Sequence, residues 1–324
     1  MTKLKIDQDL LMKFERGLDP RNPEENEVPT KVLGYGEMST VFSIIGEGYG
    51  DLAYKRMPIF QNMEEAENYR AVYNEYNDLL NKIGITVPPF DSVVIENDDG
   101  QIVMFGVQKI LDPSSVAHKI IHSVTDDEIM LMVRLILREI KKTFDFNKKN
   151  KKLNIVLDAQ ISNWAVVGFD PKKPKITEKT EFFFIDTTTP LFRKEGVEQL
   201  DPELILRAAP SFLIWIVRLL FVEDVISRYY DFHLSTIDLI ANFYKEQRSD
   251  LIPALIDLTN DFFETEAKDL KIEPITIKKV NSYYREDVLI WRLWLFFRKI
   301  DRFIRTKITR KGYPFILPGK IKRY

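Results

Sequence analysis

The spacing of apolar and polar residues divides the chain into a first part rich in predicted strands and a second part rich in predicted helices. Between Lys31 and Met57, short β-branched and aromatic runs are separated by glycines at positions 34, 36, 46, 48 and 50. This pattern predicts three antiparallel strands joined by two turns. Apolar runs at 91–96 and 101–110 flank the turn sequence NDDG and predict a hairpin. We therefore predict a five-stranded antiparallel sheet within the first 110 residues.

Helical periodicity characterises the remaining segments. Residues 3–18 predict a short N-terminal helix, and Asn62 to Lys82 predicts one long helix with glutamates near its start. Thr125 and Glu128 form a capping-box pattern before a strongly amphipathic run. From Asp201 onward the segments have helical spacing and are separated by prolines.

This change of pattern predicts an α+β protein with two lobes. The boundaries we expect are residues 1–110 for a sheet lobe and 111–324 for a mainly helical lobe. In the helical lobe, two short strands, WAVV and EFFFI, should flank a basic insert. A chain of 324 residues with 45% hydrophobic residues is long enough to bury a sizeable core.

Composition excludes several classes of function. The formal net charge is −2, so the molecule as a whole has no field that would attract nucleic acid or membranes. The absence of cysteine excludes disulfides, thiolate metal sites and a cysteine nucleophile. Three histidines are too few for a histidine-rich zinc site, and we interpret His118 and His122 as surface or packing residues.

Two features of the sequence bear on the cellular location of the protein. The N-terminus has no apolar signal core, and we expect a cytoplasmic protein. The most hydrophobic run, Ser211 to Ile226, is interrupted by Arg218, Glu223 and Asp224. It is shorter than the roughly 20 apolar residues that span a bilayer, so we predict a buried helix.

The stretch Leu153 to Val167 contains the pair of polar residues with the clearest indication of a chemical role, Asp158 and Asn163. They lie five residues apart, just ahead of a short apolar run. A carboxylate can accept a proton from an attacking hydroxyl, and carboxylate and carboxamide oxygens ligate hard metal ions. Both residue types also favour turns through local hydrogen bonds, and taken alone the pair fits an ordinary turn. The rest of the chain must decide between these interpretations.

The run Leu33 to Phe42, LGYGEMSTVF, resembles the glycine-rich loop of protein-kinase-like phosphotransferases. The resemblance implies that the backbone at Gly34 and Gly36 approaches ATP phosphates and that Val41 lies over the adenine. Ser39 stands where the fuller pattern has a third glycine. An ordinary hairpin turn is the alternative interpretation.

Lys55, on the predicted third strand, resembles the kinase lysine that holds the α- and β-phosphates, although a solvated strand lysine would look the same. The implied partner is Glu75, because the sequence NEYNDLLNKIGITVPPF resembles the corresponding helix of small-molecule kinases. Glu64, Glu65 and Glu67 could compete, but they lie near the helix start, where the helix dipole alone explains acidic residues. Residues 106–108 resemble the hinge, with Gln108 near the adenine.

Asp158 then resembles the catalytic base and Asn163 the second-metal ligand, while the sequence FFFID resembles the strand that delivers a metal-binding aspartate. Asp186 would ligate Mg²⁺ between the β- and γ-phosphates. Two positions depart from the family. Val156 replaces the usual histidine, and the triplet Asp186–Thr188 replaces Asp-Phe-Gly. The pattern is closest to aminoglycoside and choline kinase-like enzymes and covers Lys31 to about Pro190.

The resemblance implies an enzyme that uses ATP and Mg²⁺ to phosphorylate a hydroxyl of a small molecule. The alternative is a pseudokinase-like nucleotide-binding or scaffold protein, because Val156, the missing third glycine and the missing Asp-Phe-Gly glycine all depart from active enzymes. No motif indicates the acceptor, and no nucleic acid partner is expected.

The C-terminal segment from Arg298 to Tyr324 is strongly basic, with ten lysines and arginines and one acidic residue, Asp301. Aromatic residues accompany it, including Phe296 and Phe303. Such a segment could meet an anionic membrane surface or nucleic acid. The simpler interpretation, which we favour from sequence, is a core helix whose basic residues lie on its solvated face.

Overall fold

The computed structural model describes residues 4–36, 38–46, 49–207, 209–210, 214, 226–310 and 312–318. Apart from residues 214 and 226, the predicted helix from Ser211 to Ile226 lies outside the described residues. The last six residues of the basic C-terminal segment also lie outside them, as does Lys311.

The sheet lobe is built on a five-stranded antiparallel sheet, which confirms the prediction. Its strand order is β1-β2-β3-β5-β4. The strands are β1 Thr30–Tyr35, β2 Thr40–Ile44, β3 Leu52–Phe60, β4 Phe90–Glu96 and β5 Ile102–Lys109. One face packs with an N-terminal helix around Phe14, Phe42 and Phe105. The other face packs under a long helix through residues that include Met57 and Met104.

The helices of the described residues follow the predicted pattern closely. They are α1 Gln8–Arg16, α2 Met63–Lys82, α3 Ala117–Ile120, α4 Asp126–Lys149, α5 Pro202–Arg207, α6 Phe232–Lys245, α7 Ile252–Glu264 and α8 Ile277–Phe303. Asn62 caps α2 by accepting a hydrogen bond from the backbone N–H of Glu65. The capping box of Thr125 and Glu128 is formed at the start of α4. Within the described residues, no helix is long and apolar enough to cross a membrane.

Short strands in the helical lobe position the polar residues of interest. They are β6 Leu153–Ile155, β7 Trp164–Val166, β8 Phe182–Phe184, β9 Phe192–Lys194 and β10 Val197–Glu198. As predicted, β7 and β8 pair across the basic insert. The loop that carries Asp158 joins β6 to β7, and Asp186 follows β8. The backbone N–H of Ile185 donates to the carbonyl of Asn163 over 2.9 Å, so the two segments lie side by side. This is the two-part α+β architecture that the resemblance implies.

The C-terminal segment 312–318 returns to the sheet lobe. Arg56 on β3 forms a buried ion pair with Glu15 of α1, with 2.5 Å between Nε and Oε1, and also donates to the carbonyl of Pro314 over 2.7 Å. Tyr313 and Phe315 are buried in the apolar cluster under α2. Residues of the predicted helical lobe thus contribute to the core of the sheet lobe.

Candidate active site

A cavity of about 430 Å³ lies between the two lobes. Its walls include seven of the residues that the kinase resemblance singles out, and further residues of the β5 end and of the segment after it also line the cavity. The seven are Gly34, Gly36, Val41, Lys55, Gln108, Asn163 and Asp186. Strands β1 to β3 supply three of these, and the turn between β1 and β2 supplies Gly36. Strand β5 supplies Gln108, and the segments next to β7 and β8 supply Asn163 and Asp186. Tertiary folding therefore gathers residues that are dispersed along the chain.

Lys55 and Asp186 form an ion pair at this cavity. Strand β3 places Lys55 between Val41 of β2 and Gly106 of β5, and its Nζ lies 2.6 Å from Asp186 Oδ1. Burial raises the pKa of Asp186, but the ammonium of Lys55 and a hydrogen bond from Thr188 lower it by more. The net pKa of Asp186 lies below its ordinary value, so the carboxylate is ionised at neutral pH.

The segment from Asp186 to Thr188 is wedged between α2 and β5. The Tyr69 hydroxyl donates to the Thr188 carbonyl over 2.5 Å, and Gln108 Nε2 donates to Thr187 Oγ1 over 3.2 Å. A Cβ atom at Gly106 would lie 2.9 Å from Thr188 Cγ2, a distance that real Cβ atoms do not adopt. Gly106 is therefore required for the close approach of this segment to β5.

Glu75 does not reach Lys55. Its carboxylate pairs with Lys194 over 2.7 Å, and both side chains are more than 40% exposed. The physical reason is the rotation of α2 about its axis. Tyr69, Tyr73 and other residues at helical spacing form its buried face, which turns position 75 toward solvent. The structure therefore corrects the expected Lys55–Glu75 pair, and the tyrosines on α2 contact the segment after β8 instead.

Asp158 lies next to the cavity and is not among the residues that line it. Its Oδ1 accepts a hydrogen bond from the backbone N–H of Gln160, and its carbonyl accepts one from Asn163 Nδ2, each over 3.2 Å. Burial, followed by the charges of Asp238 and Asp186, raises the pKa of Asp158 to about 8. Asp238 on α6 is itself buried, and burial together with the charge of Asp287 raises its pKa to about 6.

Asp238 was not found from sequence. It lies on an amphipathic helix far along the chain from the catalytic-loop pattern, and a single aspartate on such a helix has no distinguishing signal. Tyr69 and Thr188 were also missed. The spacing of tyrosines along α2 was visible, but it indicated only a buried face.

Val156, which replaces the usual histidine, is completely buried. Its N–H donates to the Leu191 carbonyl over 3.0 Å, and its carbonyl accepts from the Tyr76 hydroxyl over 2.7 Å. The start of the loop that carries Asp158 is therefore held by apolar packing, by one backbone–backbone hydrogen bond and by one hydrogen bond from the Tyr76 side chain. No polar side chain at position 156 is needed for this anchoring.

The turn between β1 and β2 brings Gly36 and Ser39 together. The N–H of Gly36 donates to the Ser39 carbonyl over 2.9 Å, and a Cβ at Gly36 would lie 2.8 Å from Ser39 Oγ. Ser39 is buried and lines a small neighbouring cavity with Arg56 and Phe315, not the main cavity. Gly34 has open space at its Cα, which leaves room for a ligand against the backbone.

His118 also lines the main cavity, which differs from the interpretation as a surface or packing residue. Burial, followed by nearby Lys119 and Lys245, lowers the pKa of His118 to about 4, so the ring is neutral at pH 7. Among the described residues, no group of three or more histidine, cysteine, aspartate or glutamate side chains is placed to hold a metal ion.

The chain matches the family described as "Family of unknown function (DUF6206)" over residues 20–305. It belongs to this family. No curated protein matches the sequence. Among solved structures, the fold is similar to "WaaP in complex with acyl carrier protein", with 12% sequence identity, a TM-score of 0.34, and coverage of 83% of this chain and 99% of that one.

Proposed function

We propose that this protein is a phosphotransferase that moves the γ-phosphate of ATP to a hydroxyl group of a small molecule. The observation that carries the proposal is the pair of Lys55 and Asp186 at a cavity bounded by the glycine-containing turn and Asn163. A lysine that can neutralise phosphates and an ionised aspartate that can hold a metal are the two charged groups that nucleotide phosphates need in this fold class.

The donor set suits Mg²⁺. Asp186 offers an ionised carboxylate and Asn163 a carboxamide oxygen, and Mg²⁺ prefers hard oxygen ligands. We infer a cation held by one or two protein oxygens together with nucleotide phosphates, because Mg²⁺ at nucleotide sites is usually bound in this way. When bound, Mg²⁺ would neutralise charge on the transferring phosphate.

The remaining roles belong to the chain's own residues. Gly34 leaves the backbone open to the phosphates and Gly36 shapes the turn beside it, while Val41 and the β5 end bound the space for the base. In its ionised form, Asp158 orients the acceptor hydroxyl and takes its proton, and its raised pKa of about 8 makes that form a stronger base than an ordinary carboxylate. Lys55 moves from Asp186 toward the phosphates when nucleotide enters. Positioning and charge neutralisation supply most of the rate in such reactions.

The test is γ-phosphate transfer by the purified full chain from labelled Mg-ATP to a panel of hydroxylated metabolites. We expect transfer by the wild type and a loss of about 100-fold or more in Asp158→Ala, because general-base catalysis contributes a factor of that order. The matched control is Asp99→Ala, which removes an exposed carboxylate in the β4–β5 turn.

Nucleotide binding is measured in parallel by thermal shift. Mg-ATP at 100 times its dissociation constant should stabilise the protein by about 2.7 kcal/mol. The absence of any shift would contradict the proposal. A shift without transfer to any acceptor would favour the nucleotide-binding or scaffold alternative.

A further inference from the structure

Several large apolar residues of helix α8 face solvent. Leu289, Leu293, Phe296 and Phe303 are each between 45% and 58% exposed. Their spacing of about one or two helical turns places them on a single face. A surface helix normally turns such a face toward the core.

The opposite face of α8 holds buried charged residues. Arg298 is 4% exposed, its Nε lies 3.2 Å from the Tyr313 hydroxyl, and its guanidinium lies 4.3 Å from the centre of the Phe315 ring. Asp301 is also buried and pairs with Arg305 over 3.2 Å. These contacts with segment 312–318 and within the helix fix its rotation. The apolar face is thereby held toward solvent.

Basic residues border the apolar face. At 100° per residue, Arg292 and Lys299 both fall along one edge of it, and both are exposed. Lys307 and Arg310 continue the exposed positive charge beyond the helix. The single acidic residue between positions 289 and 310 is Asp301, which is buried and turned inward. The surface is therefore both apolar and positively charged.

We propose that this surface docks on an anionic lipid membrane. We define it as the α8 outer face: Leu289, Leu293, Phe296 and Phe303 with Arg292 and Lys299. The helix lies in the membrane plane, with its apolar side chains at the acyl boundary and its cations at the lipid phosphates. From Leu289 to Phe303 the face is about 21 Å long at 1.5 Å per residue. This proposal does not depend on the proposed enzymatic function.

The charges and side-chain types of the α8 outer face favour a lipid membrane over a second copy of the chain and over nucleic acid. In a symmetric contact between two copies of the chain, the cations Arg292 and Lys299 outnumber Glu286, the exposed acidic residue beside the α8 outer face, so both facing surfaces would carry net positive charge. Nucleic acid would match the positive charge. Phe296 and Phe303 could also stack on bases. However, Leu289 and Leu293, half of the apolar side chains of the α8 outer face, offer bases neither an aromatic ring nor a hydrogen-bonding group, whereas a membrane would bury all four.

The experiment is flotation of the purified full chain with vesicles of phosphatidylcholine, with and without phosphatidylserine. We expect the wild type to float with the anionic vesicles and to bind less at high salt. The double variant Leu293→Ser/Phe296→Ser should lower the partition coefficient by about tenfold or more, because it removes apolar groups that enter the membrane. Arg292→Glu/Lys299→Glu should abolish the preference for phosphatidylserine.

The matched control is Ile277→Ser, which removes an exposed apolar residue at the start of the same helix and should leave binding unchanged. Melting temperatures identify any variant that is unfolded, and the charge variant keeps the test decisive if the apolar one is unstable. The proposal is overturned if the wild type does not float, or if Leu293→Ser/Phe296→Ser floats as well as the wild type. It is also overturned if the α8 outer face variants change only self-association in sedimentation, or only binding to an RNA oligonucleotide.

Discussion

Gly106 and Thr188 are in such close contact that a side chain at position 106 would collide with Thr188 Cγ2 at 2.9 Å. The two residues join β5 of the sheet lobe to the segment after β8 of the helical lobe. Because Asp186 belongs to that segment, the contact helps to set where the metal-binding candidate lies.

Gly106→Ala should lower the free energy of unfolding by about 1–3 kcal/mol, the usual cost of overpacking a well-packed region. Thr188→Ser removes the colliding methyl group and should recover part of this loss in the double variant. Urea unfolding of the two single variants and the double variant measures the coupling. Gly312→Ala is the control, since no atom lies within 4 Å of its Cβ position. A double variant no more stable than Gly106→Ala would contradict the contact.

Lys55→Ala should abolish the stabilisation of the protein by Mg-ATP. It removes the cation that pairs with Asp186, and the loss of one such group typically costs about 100-fold to 1000-fold in rate. Thermal shift and phosphate transfer measure the two effects. Lys31→Ala, which removes an exposed lysine from β1 of the same sheet, is the control. Equal nucleotide affinity in the Lys55 variant and the wild type would contradict the assignment of Lys55 as a phosphate-binding residue.

Glu75→Ala should leave nucleotide binding and any transferase activity unchanged. The carboxylate pairs with exposed Lys194, and pairs of this kind contribute about 0–1 kcal/mol. Thermal unfolding and the Mg-ATP shift of this variant are compared with those of Lys55→Ala. If both variants lose nucleotide binding alike, Glu75 acts on Lys55 in a state that differs from this structure.

Asp238→Asn should change how stability depends on pH. Burial raises the folded-state pKa of Asp238 to about 6, above the unfolded value of 3.8. The protonated carboxyl therefore favours the folded state, and its contribution is full below pH 3.8 and is lost as the pH rises through 6. The amide cannot ionise and therefore avoids this loss. The free energy of unfolding of the variant, relative to that of the wild type, should increase by about 1–3 kcal/mol as the pH rises from 4 to 8.

Thermal unfolding across that pH range measures the effect. A constant difference between Asp238→Asn and the wild type at every pH would show that the carboxylate carries no such penalty. Asp158, whose pKa is raised to about 8, should continue the same trend to higher pH in the wild type.

Local chemistry in the sequence determined most of the fold. The five strands, the bounds of α2 and the capping box at Thr125 depend on turn residues, caps and apolar spacing within short segments. The order of Gly34, Lys55, Asp158 and Asp186 also indicated which residues could meet. Seven of the candidate residues do line one cavity.

Tertiary structure decided which way each element faces. Periodicity shows that α2 has a buried face, but only packing against β5 and the segment after β8 decides that Tyr69 reaches Thr188 while Glu75 meets solvent. The pattern of α8 suggested a core helix, whereas the contacts of Arg298 with Tyr313 and Phe315 turn its apolar residues outward. Asp238 approaches Asp158 through the same long-range packing. These relationships join residues far apart in the chain, and no local pattern of side chains encodes the rotation of one element against another.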